Sequence, residues 1–180
     1  MNAPGRHGRD TKPGTTLRGV DWPKDIDKVR RLFQDYRQWL ADHVDPAASA
    51  GSGVPPGLAL IDRLIADLPG AYGPPRGDVI LGFAGDVVVA CGALRELEPK
   101  VGDIKRVYVR ADHRGPGFGP RLTQSVIDRA KELGYRRVRV DTTATMTAAI
   151  EFYQEMGFVP IPSYWPHPAP GALYFEYIIR

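Results

Sequence analysis

Three glycines in five residues, Gly115, Gly117 and Gly119, separate a β-rich run from an amphipathic segment within Asp103 to Leu122. Glycine lets a backbone approach a ligand with its N–H groups free. A helix starting behind such a loop adds unpaired N–H groups and the positive end of its dipole. This combination suits an anion, most often a phosphate. Lys105, Arg106, Arg110, Arg114 and Arg121 cluster around the loop, as a small polyanion would require.

The elements that must position this loop follow from apolar spacing. Ile104 to Val109 reads as the strand that feeds it. Ile104 and Val107 lie three apart, while Val107 and Val109 lie two apart, so strict alternation fails. A β-bulge near Lys105 and Arg106 puts all three on one face; it also bends the strand away from its neighbour and opens a cleft. The alternative is a regular strand buried on both sides, with Ile104 on the face of Tyr108. Behind the loop, Leu122, Val126, Ala130 and Leu133 define a helix face that stops at Gly134.

Ahead of this unit, residues 1–14 read as a disordered tail and Thr16 to Val20 as a first strand. Asp21 is placed to cap a helix with Pro23 in its first turn and Ile26, Val29, Phe33, Tyr36 and Leu40 on its face. A loop over Asp45 to Gly57 leads to a shorter helix built on Leu60, Leu64, Ile65 and Leu68. Val79 to Ala84 and Val87 to Leu94 form a hairpin about Gly85-Asp86, with a turn over Glu96 to Gly102. After the central helix come a strand at Arg137 to Thr142, a helix at Thr147 to Met156 closed by Gly157, and strands at Phe158 to Ile161 and Ala172 to Ile179. The order β-α-α-β-β-β-α-β-α-β-β predicts one mixed α/β domain over 15–180.

Composition narrows the function classes. The chain has 180 residues, 43% hydrophobic and 25% charged, which suits one soluble domain. No apolar run approaches the roughly 20 residues of a membrane span, and Met1 to Thr11 lacks the apolar core of a secretory signal. Of the net charge of +3, Arg6, Arg9 and Lys12 against Asp10 supply +2, so no broad basic face for nucleic acid is expected. Cys91 is the single cysteine, which favours a reducing, cytoplasmic setting and a small buried hydrophobe. The histidines His7, His43, His113 and His167 fit no metal-ligand spacing, so no metal is expected.

Two familiar phosphate loops do not fit. A nucleotide P-loop ends in Gly-Lys-Ser/Thr, whereas Gly119 is followed by Pro120-Arg121. A dinucleotide fingerprint would place its third glycine at Pro120, despite Asp141 standing near the ribose-binding position. The run Arg114-Gly115-Pro116-Gly117-Phe118-Gly119 resembles Arg/Gln-x-x-Gly-x-Gly/Ala, the acyl-coenzyme A pyrophosphate loop of the GNAT acetyltransferase superfamily. Val107-Tyr108-Val109 before it, and Phe152-Tyr153 with Gly157-Phe158 after it, extend the resemblance over about residues 15–180.

That resemblance implies a central mixed, twisted sheet with a splayed, bulged strand, and acetyl-CoA as cosubstrate. Val107, Tyr108 and Val109 would run beside the pantetheine arm. The N–H groups of Gly115, Gly117, Phe118, Gly119 and Arg121 would face the pyrophosphate, with Arg114 adding charge. Pro116 and Pro120 lack an N–H, so fewer donors are offered than in a typical member. Tyr153 matches the tyrosine that protonates the departing thiolate in many members. Asp103 stands where many carry a glutamate base; its shorter side chain points to action through a water. Met146 replaces an asparagine that many members place seven residues before the tyrosine.

The implied reaction is direct attack by a primary amine of a small molecule or amino acid, in a ternary complex without a covalent acetyl-enzyme. Candidate acceptor-site residues are Tyr36, Trp39, Tyr72, Tyr164, Trp165 and His167, with Arg106 available for a carboxylate. The alternatives are a protein lysine or N-terminal acetyltransferase and a non-catalytic acetyl-CoA sensor. A homodimer is compatible with the resemblance.

Overall fold

A computed structural model of the chain describes residues 14–43, 56–115, 117–166, 168 and 170–180. The first thirteen residues of the expected tail, the loop over 45–55, Pro116 and His167 lie outside them. The elements run Thr15–Gly19 (β1), Ile26–His43 (α1), Pro56–Ala66 (α2), Asp78–Ala84 (β2), Val87–Glu98 (β3), Val101–Val109 (β4), Phe118–Glu132 (α3), Arg137–Thr143 (β5), Thr147–Glu155 (α4), Val159–Ile161 (β6) and Ala172–Ile178 (β7). The predicted order holds throughout. Seven strands form one sheet ordered β1-β2-β3-β4-β5-β7-β6; its pairs are antiparallel except β4 with β5.

Each face of the sheet carries its own core. One gathers Ile80, Leu94, Ile104, Val138 and Phe175 under Leu122, Val126 and Ala130 of α3, with Tyr153 of α4. The other gathers Val79, Leu81, Cys91 and Ala93 against Val29, Leu32 and Phe33 of α1 and Ile61 and Ile65 of α2. Strand alternation sorts the residues between the two. Leu122 is fully buried, and truncation of such a leucine to alanine costs about 2–5 kcal/mol.

Glycine brings α3 close to the sheet at two points. A Cβ at Gly92 would lie 2.8 Å from a Val126 methyl, and one at Gly82 would lie 2.8 Å from the Phe118 ring. Phe118 is the first residue of α3, so Gly82 fixes where the glycine loop ends.

Three expectations need correction. The helix after the first strand begins at Ile26, because Trp22 to Asp25 form a turn in which Asp25, not Asp21, supplies the carboxylate: its Oδ2 accepts the Asp21 N–H at 2.9 Å. In α2 the buried face is Leu58, Ile61 and Ile65, continued by Leu68; Leu60 is 51% exposed. The turn expected over Glu96 to Gly102 shrinks to Pro99-Lys100, with Glu98 paired to Val101 and Glu96 to Gly102. Lys100 takes the left-handed φ of +68° that this tight reversal needs. Asp103 is therefore an interior strand residue rather than a turn residue.

Candidate active site

The site is built on an irregularity in β4. Ala93 pairs with Lys105 and Cys91 with Tyr108, so three steps on β4 match two on β3. The extra residue is a bulge, with Arg106 at φ +53°. Beyond it Val107 and Val109 return to the face of Ile104, while Tyr108 turns to the other core, as the spacing predicted. β4 pairs with β5 only at Val101–Arg137, Gly102–Val138 and Asp103–Arg139. Past Asp103 the two strands part.

The parted edge of β4 presents backbone groups. Arg110 N–H bonds to Val89 O at 2.9 Å, so alternate residues Val109 and Val107 turn their peptide groups toward the split. The Val109 carbonyl accepts the Arg114 Nε at 3.0 Å, and the Arg114 guanidinium lies 5.4 Å from the centre of the Trp39 ring. Gly117 follows at φ +90° as the N-cap of α3. Arg121 N–H is taken by Gly117 O at 3.2 Å, and Phe118 N–H approaches Gly115 O at 3.5 Å. The Arg121 backbone therefore offers no free donor to an anion, unlike Gly115, Gly117 and Gly119. A Cβ at Gly115 or Gly117 would meet nothing within 4 Å, so the loop is open to an incoming group.

The basic cluster around the loop separates into pairs. Lys105 contacts Asp103 at 3.3 Å and also Asp141, Arg110 bonds to Asp35 at 2.9 Å, and Arg121 reaches Thr15 Oγ1 at 3.2 Å. Arg114 and Arg121 stay exposed beside the loop, and Arg106 turns into the protein with 7% exposure.

Side chains from five elements converge where β4 and β5 part. Tyr153, on α4, is 7% exposed, and burial pushes its hydroxyl well above the ordinary tyrosine range. Tyr36, on α1, is likewise pushed up by burial, to about 12. The Tyr36 hydroxyl lies within electrostatic reach of Arg106, Asp141 and Tyr153, so the split joins groups from both faces of the sheet. Asp141, on β5, accepts from Lys105 and, at 3.2 Å, from the Tyr164 hydroxyl. Tyr164 comes from the β6–β7 connection, with Arg139 5.3 Å from its ring centre. The sequence places Lys105 in the basic cluster and Asp141 near a ribose-binding position but points to no catalytic role for either; an acidic residue one strand across from the bulge is the available signal.

Asp103 is fully buried, with Oδ2 2.9 Å from Arg95 Nη2. Burial raises its pKa, against the pull of Lys105 and Arg95. Trp39, Tyr36 and Tyr108 form an aromatic wall beside the split, with ring centres 6.0–6.5 Å apart. Cys91 is fully buried and its thiol is pushed up to about 12 by burial, which leaves it inert as a nucleophile. Met146 caps α4 without a side-chain hydrogen bond. Among the described residues no group of three or more His, Cys, Asp or Glu could hold a metal, and no helix is long and apolar enough to cross a membrane. A hollow of about 630 Å³ lined by Ile150, Gln154, Pro160 and Tyr174, among others, involves none of the predicted site residues.

Comparison with known proteins decides the family. The acetyltransferase (GNAT) family model matches residues 29–158. The chain belongs to the GNAT family. It is similar to an uncharacterized N-acetyltransferase of Schizosaccharomyces pombe, 28% identical over 89% of this chain and 93% of that protein. It is also similar to an IAA acetyltransferase of Azospirillum brasilense, 31% identical over 49% of this chain and 60% of that one. A Salmonella typhimurium acetyltransferase, yncA, solved with its cofactor acetyl-CoA, shares the fold: the TM-score is 0.63 at 16% identity, over 93% of this chain and 95% of the other. As a GNAT member the protein is an acyl-CoA-dependent N-acetyltransferase, and the family uses acetyl-CoA. The parted strand edge and the open, donor-bearing glycine loop fit that cosubstrate.

Proposed function

We propose that this enzyme transfers an acetyl group from acetyl-CoA to the primary amine of a small molecule, by direct attack in a ternary complex. The observation that carries this reading is the bulge in β4 and the loss of pairing with β5 beyond Asp103, with Lys105, Asp141 and Tyr164 joined across the gap and the glycine loop following. Val107, Tyr108 and Val109 would hold the pantetheine arm. Gly115, Gly117 and Gly119 would hold the pyrophosphate through their N–H groups, with Phe118 at the start of α3 and Arg114 and Arg121 as nearby charges. Acetyl-CoA supplies the electrophilic thioester carbonyl.

The remaining chemistry is proton transfer. A primary amine with a pKa of about 10.4 is mostly protonated at neutral pH, so it must lose a proton to attack. Asp141, with 35% of its side chain exposed, is the carboxylate that meets the amine or its bound water. Asp103 acts behind Lys105 as a positioning residue and holds that ammonium against Asp141. As the amine forms its C–N bond and the C–S bond breaks, the Tyr153 hydroxyl gives its proton to the thiolate. Its high pKa keeps that proton in place at neutral pH.

Free thiol release from acetyl-CoA, measured across a panel of small amines with mass detection of the N-acetyl product, tests this. Matching amounts of thiol and acetylated small amine support the reading. Acetylation of protein lysines or N-termini alone would replace it.

A further inference from the structure

Arg106 is a buried cation without an anion. No carboxylate or carbonyl among the described residues accepts from its guanidinium. Its Nε is cut off from solvent with no hydrogen-bond partner, and the residue as a whole keeps 7% exposure. Its central carbon lies 5.2 Å from the Phe33 ring centre and 5.4 Å from that of Tyr72. Ring faces offset part of the cost of burying the charge, but they supply no lone pair in reach of its N–H groups. The Tyr72 hydroxyl is itself buried without a partner, and Arg106 is the first of the cations acting on it. Two orphaned donors therefore stand together at the wall of the cleft.

The local charge count points the same way. Arg95, Lys105 and Arg106 supply three cations, and Asp103 and Asp141 supply two carboxylates joined to Arg95 and Lys105. One positive charge is left over, and it belongs to Arg106. Natural interiors leave few such groups unmatched, because an unpaired buried charge is costly. The bulge makes the placement deliberate: the left-handed backbone at Arg106 swings its side chain to the α1 face while Val107 returns to the other.

We infer that Arg106 receives a carboxylate of the acceptor, assisted by the Tyr72 hydroxyl, so that the amine acetylated here belongs to an amino acid. The inference rests on the cleft being the acceptor site. A free amine with a carboxylate carries one net negative charge, which matches the one left-over positive charge.

The test compares α-amino acids and β-alanine with their carboxamides, by thiol release and by calorimetric binding in the presence of CoA. Loss of one partner from a buried charge pair predicts that carboxylates are preferred at least about 30-fold in kcat/KM. In Arg106→Met that preference should vanish through KM, with acetyl-CoA binding and the melting temperature retained; Arg106→Lys should keep part of it. Equal use of acids and carboxamides by the wild type would overturn the inference while leaving acetyl transfer intact. If no amine released thiol, the transfer reading would fall. The binding arm would then decide alone: carboxylate-selective binding supports Arg106, and its absence overturns it.

Discussion

The guanidinium of Arg95 and the carboxylate of Asp103 meet at 2.9 Å across β3 and β4, with Asp103 wholly enclosed and Arg95 19% exposed. Removing one partner of such a pair strands the other. Asp103→Ala should cost on the order of 3 kcal/mol of stability, read by urea denaturation. Asp103→Asn should change the pH–rate profile as well, because Lys105 would then lean wholly on Asp141; an unmoved profile would reduce Asp103 to a structural role.

Asp103 and Asp25 should bend the stability curve in opposite senses. Burial raises Asp103, so its contribution is full below the ordinary carboxylate pKa of 3.8 and is lost as pH rises through the higher folded value. Asp25 is pulled well below the usual range by Arg18, which bonds to Oδ2 at 2.6 Å, with help from Lys28. Its contribution is present above 3.8 and is lost as pH falls. Thermal melts from pH 3 to 7 should show Asp25→Asn flattening the acid limb and Asp103→Asn removing a decline above it.

Gly82 ties the sheet to the cofactor loop. A methyl there would sit 2.8 Å from the Phe118 ring and 2.9 Å from the Ala90 Cβ. Gly82→Ala should cost about 1–3 kcal/mol and weaken acetyl-CoA binding, because the first turn of α3 must move. Denaturation and calorimetry on the one variant check both effects.

Tyr153→Phe should lower kcat about 100-fold with little change in acetyl-CoA affinity, the mark of a proton donor used in the transition state. Since burial raises the hydroxyl, no alkaline loss of activity from Tyr153 is expected below about pH 10. An unchanged kcat would remove the residue from the chemistry.

Cys91→Ala should leave turnover intact and yield no acetylated protein by mass spectrometry, because the thiol is sealed in the core. A trapped acetyl-cysteine in the wild type would instead demand a covalent route.

Much of this architecture was legible in the chain. The broken alternation of Ile104, Val107 and Val109 revealed the bulge, because a period of two cannot otherwise keep three residues in one core. Gly85, Gly134 and Gly157 marked reversals and helix ends through the positive φ that each adopts. What stayed hidden depended on pairing. Glu96 and Glu98 read as turn residues because they are charged; in the fold Arg76 and Arg139 neutralise them within strands. In α2 apolar residues lie on several sides, so the buried face was set by α1 rather than by local spacing. Asp141 gained its place only through the parting of two strands, which no local pattern records.

The most direct test is calorimetric titration of acetyl-CoA into the wild type and Gly115→Val, where a Cβ would meet nothing within 4 Å, so that a branched side chain crowds the loop without disturbing the core. The wild type should take up one equivalent, and the variant should bind at least about 10-fold more weakly at an unchanged melting temperature. No uptake by the wild type, or equal uptake by both, would contradict a cofactor site at Gly115 to Gly119.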